Sequence, residues 1–236
     1  MNQKEFFSEN GFALIDNIYS EEEINSILHE IENADSQNDT FRKSSDLFAI
    51  RQILKEIPEI SPIIFNENLK NLIREFIGND FFIVKSIYFD KPETSNWYVA
   101  YHQDLTISVD KKVELENFNF WTKKQNQFAV QPPIEILKNI VTIRIHLDET
   151  NEENGALKVI PKSHSKKIYR TKTTDWSAEK EVSCNVLRGG IMFMKPLLLH
   201  SSSRTTNNQK RRVIHIELSN FDLPNEINWS EKQIIN

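Results

Sequence analysis

His102, Asp104 and His200 are the residues whose types and spacing could do chemistry. Two imidazoles and one carboxylate on a β scaffold make a three-ligand face for iron(II), and the other three coordination positions stay free for reaction. In a strand, residues two apart point the same way. His102 and Asp104 therefore aim at one point while Gln103 faces away. His200 ends the apolar run Pro196-Leu197-Leu198-Leu199, which reads as another strand that a fold could bring alongside.

A His followed two residues later by an acid is a cheap pattern. With 6 His and 34 acidic residues in 236, chance alone supplies about 0.9 such pairs. Three occur: His102/Asp104, His146/Asp148 and His215/Glu217. Context separates them. The first is flanked by Trp97, Tyr98 and Tyr101, then by the β-branched alternation Thr106-Ile107-Ser108-Val109, which suits ligands beside an aromatic-walled pocket. Asp148 opens the polar run through Asn154-Gly155 that reads as a solvated turn, so His146/Asp148 is the reserve site. His215/Glu217 comes late in the chain, beyond Arg211.

The elements that must position these groups are short. The pattern predicts strands at 81–89, 104–109, 140–147, 156–160, 191–194 and 211–219, with Gly, Asn and Pro between them, as in a jelly roll. Along 211–218, Arg212, Ile214, Ile216 and Leu218 share one face, and Arg211, Val213, His215 and Glu217 share the other. If the apolar face packs on the core, Arg211 looks into a cavity; otherwise both arginines are solvated strand-end charges. In 141–148 the even positions are polar, so Arg144 and His146 either line the pocket and touch substrate or form a wet outer face. Before residue 81 the signals are helical. Ser20 and Glu23 form a capping box ahead of Ile24, Ile27, Leu28 and Ile31, and Leu69, Leu72, Ile73 and Phe76 run to a stop at Gly78. Residues 110–139 break the strand rhythm with Phe118, Phe120, Trp121 and Phe128 among polar residues, and are either a lid over the site or a surface loop with a small apolar cluster.

The net charge of −5 and dispersed basic residues argue against a nucleic-acid surface. The single Cys184 excludes an intramolecular disulfide. No apolar run has the length of a membrane span, and the N-terminal residues lack a signal-peptide stretch, so cytoplasmic residence is the expectation. His164 reads as a loop anchor and His29 as an exposed helix residue.

The chain resembles the phytanoyl-CoA dioxygenase family of iron(II)/2-oxoglutarate-dependent oxygenases. The matching pieces are Tyr101-His102-Gln103-Asp104-Leu105, the stretch from Asn154-Gly155 to Ser163-His164, and His200 followed eleven residues later by Arg211. The resemblance implies that His102, Asp104 and His200 hold Fe(2+), and that Arg211 grips 2-oxoglutarate through a bidentate guanidinium–carboxylate pair. It also makes Lys85 and Ser202 candidates for contact with the cosubstrate. Two positions depart from the family: Lys162 stands where a glycine is usual, on a surface loop, and Arg144 where a tryptophan near the cosubstrate is common, which alters the pocket wall.

The expectation is one domain over 1–236, mainly β in an α+β sense. It comprises an N-terminal helical layer (1–80) and a double-stranded β-helix core (81–220), a cupin-like jelly roll with flanking helices. The activity implied is a dioxygenase that uses O2 and 2-oxoglutarate to hydroxylate an unactivated C–H bond of a small molecule. Arg144, His146, Trp97 and Trp121 are the candidate substrate contacts. No nucleic acid or membrane partner is expected, and oligomeric state is not readable. Asp104 disfavours halogenation, which needs a small residue there; desaturation, cyclisation and epimerisation stay open. The alternatives are a jelly roll that only binds a small ligand, or a zinc hydrolase on the same ligands.

Overall fold

The computed structural model describes residues 2–34, 38–43, 48–93, 95, 98–124, 127–166, 168–169 and 180–235. Helix α1 (Gln3–Asn10) leads into strand β1 (Phe12–Ile15), and α2 (Glu21–Asn33) follows, with Ser20 and Glu23 closing the capping box expected of them. Strands β2 (Phe41–Lys43) and β3 (Phe48–Arg51) precede the short helices α3 (Ile53–Glu56) and α4 (Ser61–Ile64), then α5 (Glu67–Ile77), which stops at Gly78. The rest is strand-rich: β4 (Phe82–Lys91), β5 (Val99–His102), β6 (Ile107–Val109), β7 (Asn119–Lys124) and β8 (Gln127–Gln131). After α6 (Ile134–Lys138) come β9 (Ile140–His146), β10 (Leu157–Val159), β11 (Val182–Cys184), β12 (Ile191–Met194), β13 (His200–Ser202), β14 (Arg211–Ser219) and β15 (Gln233–Ile234).

The main sheet has the order β1-β12-β9-β14-β4-β3-β2, with β15 added to β4, and a smaller sheet has the order β11-β10-β13-β5. All its pairings are antiparallel. One face of the main sheet carries Ile143, Ile145, Phe193, Ile214, Ile216 and Leu218. These pack with Ile24, Ile27 and Ile31 of α2 and Leu69, Ile73 and Phe76 of α5 in one cluster. The helical layer therefore covers that face because both surfaces are apolar at the period of their own element. The other face looks at the small sheet: Phe12, Met192 and Met194 meet Leu157, Val159, Cys184 and Leu198. Two sheets packed face to face, with helices outside the larger one, make the jelly roll.

Two local expectations fail for physical reasons. Residues 104–106 are not strand: β5 ends at His102 and β6 starts at Ile107. The run Pro196–Leu199 is not strand either but a turn, and β13 begins at His200. That turn is apolar because it is buried between two clusters, with Leu197 in one and Leu198 in the other. The segment 110–139 is more ordered than a loop. It contains the β7–β8 hairpin, which pairs with β6, and α6, and it packs on the cluster of Ile107, Val109, Phe118 and Val130.

Candidate metal centre

His102 and His200 face each other as register partners on β5 and β13. Their ring centroids lie 4.2 Å apart. Asp104 joins them just beyond β5, with its Oδ1 3.7 Å from His102 Nε2 and its Oδ2 3.8 Å from His200 Nε2. One ligand atom from each of the three lies within 4.8 Å of the others, and theirs is the one such group of His, Cys, Asp or Glu among the described residues. Asp104 needs no strand to reach this position. Its N–H donates to the Pro196 carbonyl at 2.9 Å, while Gln103 points the other way, donating to the Leu197 carbonyl at 2.6 Å and accepting from the Tyr169 N–H at 2.8 Å. The buried Gln103 thus ties the 196–199 turn to the segment carrying Asp104. The sequence placed Gln103 facing away but did not show this work.

Both imidazoles have their tautomer set by the backbone. His102 Nδ1 is 2.9 Å from the Ala100 carbonyl and His200 Nδ1 is 2.9 Å from the Leu198 carbonyl. A carbonyl only accepts, so each Nδ1 carries a proton and each Nε2 is the ring atom that faces the shared point. Burial holds His200 down, to about 4, so it is neutral and ready to ligate. Burial alone would raise Asp104, but His200, His215, Lys85 and His102 outweigh it and hold the carboxyl at about 2. Two imidazoles aimed by their Nε2 atoms and a carboxylate at one shared point fit iron(II).

Arg211 lies on the inner face of β14, 5% exposed. Its Nη1 donates to the Gly155 carbonyl and lies 3.3 Å from Ser202 Oγ, and Ser202 Oγ itself donates to that carbonyl at 3.1 Å. Gly155 makes this cradle possible: its φ is +84°, and a Cβ there would stand 2.6 Å from the Ser203 carbonyl oxygen and 2.9 Å from Lys91 Nζ. Burial and then repulsion from Arg144 push Arg211 down to about 9, so it is still cationic at neutral pH. Among the described residues no carboxylate lies within ion-pair distance of it. A buried guanidinium without a counter-ion fits a carboxylate from outside, such as that of 2-oxoglutarate. Lys91, opposite Arg211 in the register and 1% exposed, was not foreseen; a lysine at a strand end carries no sequence signal of burial.

The other candidates fall as follows. Lys85 is not free but pairs with Glu217 at 2.6 Å. Arg144 and His146 both face the small sheet, in the rows Met192–Arg144–His215 and His146–Val213. His146 and Asp148 do not converge: Asp148 turns outward to Arg212, with Nη2–Oδ1 at 2.8 Å, so it is neither a ligand nor a solvated turn residue. His215 and Glu217 bond each other at 3.1 Å. Trp121 sits on β7 in a groove with Lys112, Leu115 and Phe118, lined by none of the three ligands. Trp97 lies outside the described residues. His164 packs over Gly11 at the end of α1.

A jelly roll whose two sheets enclose two histidines, one carboxylate and a buried arginine without a counter-ion among the described residues defines a protein of the two-histidine–one-carboxylate metal class. The chain belongs to the phytanoyl-CoA dioxygenase (PhyH) family, whose family model matches residues 7–213. Among curated proteins it is similar to the "Probable alpha-ketoglutarate-dependent hypophosphite dioxygenase" of Stutzerimonas stutzeri. The two are 24% identical over 181 residues, covering 71% of this chain and 54% of that protein. The match thus spans about half the length of that curated relative. Among solved structures it is similar to EctD from S. alaskensis with 2-oxoglutarate and 5-hydroxyectoine (TM-score 0.69, 17% identity, 92% of this chain and 74% of that one). It is also similar to the carbocyclase SnoK from nogalamycin biosynthesis (TM-score 0.68, 16% identity, 93% and 83%). HygX from Streptomyces hygroscopicus with nickel, 2-oxoglutarate and hygromycin B bound is another (TM-score 0.65, 14% identity, 92% and 86%). At these identities the likeness to the solved structures is one of fold. No helix among the described residues is long and apolar enough to cross a membrane.

Proposed function

We propose that this chain is an iron(II)- and 2-oxoglutarate-dependent dioxygenase that hydroxylates an unactivated C–H bond of a small molecule. The observation that carries the reading is the placement of three convergent metal ligands and an uncompensated buried arginine in one inter-sheet space. When bound, iron, 2-oxoglutarate and O2 supply the oxidation, with succinate and carbon dioxide as the cosubstrate's products. The chain's own residues do the rest. The Nε2 atoms of His102 and His200 and the Asp104 carboxylate hold the metal, and one carboxylate against two neutral rings leaves it positive enough to take an anionic chelate. Arg211, steadied by Ser202 and Gly155, takes the far carboxylate in a fork that a lysine could not copy. Asp104 fills the position that halide chemistry would need vacant. The relatives' names span a carbocyclase, an epimerase and a hydroxyectoine-bound enzyme on this fold, so hydroxylation is our choice among outcomes the same ligands serve. Residues 110–139 are proposed as the cover of the site.

Succinate formation from 2-oxoglutarate, measured with Fe(II) against a metabolite panel, tests the reading. Substrate-stimulated turnover, blocked by Zn(II) and lost in Asp104→Ala, is expected. A wild-type protein that never yields succinate, or an Asp104→Ala variant that turns over normally, overturns it.

A further inference from the structure

Strand β9 presents Thr142, Arg144 and His146 in succession to the space between the sheets, and each carries a buried polar atom with no partner: Thr142 Oγ1, Arg144 Nε and His146 Nε2. Buried groups of this kind ordinarily find partners, and each one left alone costs about 1–3 kcal/mol. Three in a row on one strand mark a surface built for something from outside.

Arg144 is the strongest of them. It is 9% exposed, and no carboxylate lies within ion-pair distance of it among the described residues. Lys85, by contrast, is matched by Glu217, and Arg188 and Arg212 share Asp148. Arg144 is instead held by a neutral group. Its Nη1 donates to His215 Nδ1 at 3.3 Å, and His215 Nε2 in turn donates to Glu217 Oε1 at 3.1 Å. That chain aims the guanidinium without cancelling its charge. Arg144 lies within electrostatic reach of Asp104 and His200, which places it on the metal's side of the space. His146, 3% exposed, stands two residues on along the same face. Its Nδ1 is 2.7 Å from Thr150 Oγ1, which leaves Nε2 as the unpartnered ring atom beside Arg144.

The charge count points the same way. Iron(II), the Asp104 carboxylate and the 2-oxoglutarate dianion leave one negative charge, against three buried cations without a carboxylate partner among the described residues, Arg211 and its neighbour Lys91 at one end and Arg144 at the other. Arg144 is held at a different place from Arg211: it pairs in register with His215, four residues from Arg211 on β14, which is about 13 Å along the backbone.

We infer that Arg144, with His146 beside it, is the seat for an acidic group of the primary substrate, a carboxylate or a phosphorus oxyacid. This inference rests on the proposed oxygenase reading for the word substrate, but the anion seat itself is tested without turnover.

The protein loaded with Ni(II) and saturating 2-oxoglutarate is titrated by calorimetry with hypophosphite, with acetate and with neutral acetamide. Wild type, Arg144→Gln, Arg144→Lys and Arg211→Gln are compared. The expected result is saturable binding of one anion per chain, none of acetamide, and a loss of affinity of about tenfold or more in Arg144→Gln. Arg144→Lys, which keeps the charge, recovers part of it, and 2-oxoglutarate affinity falls in Arg211→Gln alone. Preference between hypophosphite and acetate separates a tetrahedral from a planar acid. The inference is overturned if wild type binds neither anion, if Arg144→Gln binds them as wild type does, or if Arg144→Gln loses 2-oxoglutarate as severely as the anion. If metal-loaded wild type binds no 2-oxoglutarate, the oxygenase reading fails instead, and the anion titration of the metal-loaded protein still decides the role of Arg144. Should Arg144→Gln melt early, Arg144→Lys carries the comparison.

Discussion

At the scale of single residues, the two arginines of the inner face are cations that the protein buries without counter-ions, and the loss of each has its own signature. For Arg211, a charged hydrogen-bonded pair to a carboxylate is worth about 1.5–3 kcal/mol. Arg211→Gln is therefore expected to raise the 2-oxoglutarate concentration for half-maximal turnover about 10- to 100-fold, and Arg211→Lys less, since it keeps charge but loses the fork. Steady-state titration of 2-oxoglutarate checks this, and an unchanged midpoint would remove Arg211 from the cosubstrate site. Gly155 is the second residue-scale test. Gly155→Ala must place a Cβ against the Ser203 backbone at a φ of +84°, a strain of about 1–3 kcal/mol. We expect a lower melting temperature together with weaker 2-oxoglutarate binding, because the carbonyl that steadies Arg211 belongs to the strained residue. A variant that melts early but binds 2-oxoglutarate as wild type does would show that the cradle is structural only.

At the scale of elements, the strands legible in the sequence are those with one face on each side of an apolar–polar divide. Residues 140–147 and 211–219 alternate because one face meets the helical layer and the other meets the site, and the structure gives β9 and β14 almost the same bounds. The ligands themselves sit where periodicity fails. Asp104 is beyond a strand end and His200 follows a buried turn, so their meeting is fixed by hydrogen bonds from Gln103 and the Asp104 N–H that no sequence period reports. The hairpin within 110–139 was hidden for a different reason: Phe120 is exposed, so the strand's outward residues look like inward ones. The C-terminal segment was silent altogether, yet Glu231 is fully buried and accepts from the Ser86 N–H at 2.8 Å and from the Ser86 hydroxyl on β4. Burial raises this carboxyl from 4.5 to about 7. A raised folded pKa means stability that is fully present below 4.5 and lost as pH rises to about 7. Over that window the slope attributable to Glu231 is at most about 1.4 kcal/mol per pH unit. Chemical denaturation of wild type and Glu231→Gln from pH 5 to 8 is expected to show the variant gaining relative stability as pH rises, and parallel curves would refute the assignment.

At the scale of the whole molecule, an acidic protein of net charge −5 keeps a cationic interior. Arg144, Arg211 and Lys91 are all buried between or beside the two sheets, and desolvation brings even the Lys91 ammonium down to about 8. Such charge strains the fold until it is matched, so the metal and its anionic chelate should act as structural partners as well as reactants. Ligands that bind only the folded state at 100 times their dissociation constant add about 2.7 kcal/mol, which for a chain of this size is a rise of roughly 5–10 °C in melting temperature. We expect that rise when Fe(II) or Ni(II) and 2-oxoglutarate are added together under anaerobic conditions, its reversal by a chelator, and a smaller shift from either alone, because in the proposed site the chelate would join the metal to Arg211. Asp104→Ala should lose the metal-dependent part, and Arg211→Gln the part that 2-oxoglutarate adds. Equal shifts in wild type and both variants would mean that the ligands bind elsewhere, and that the unmatched cations between the sheets answer to something other than this cosubstrate.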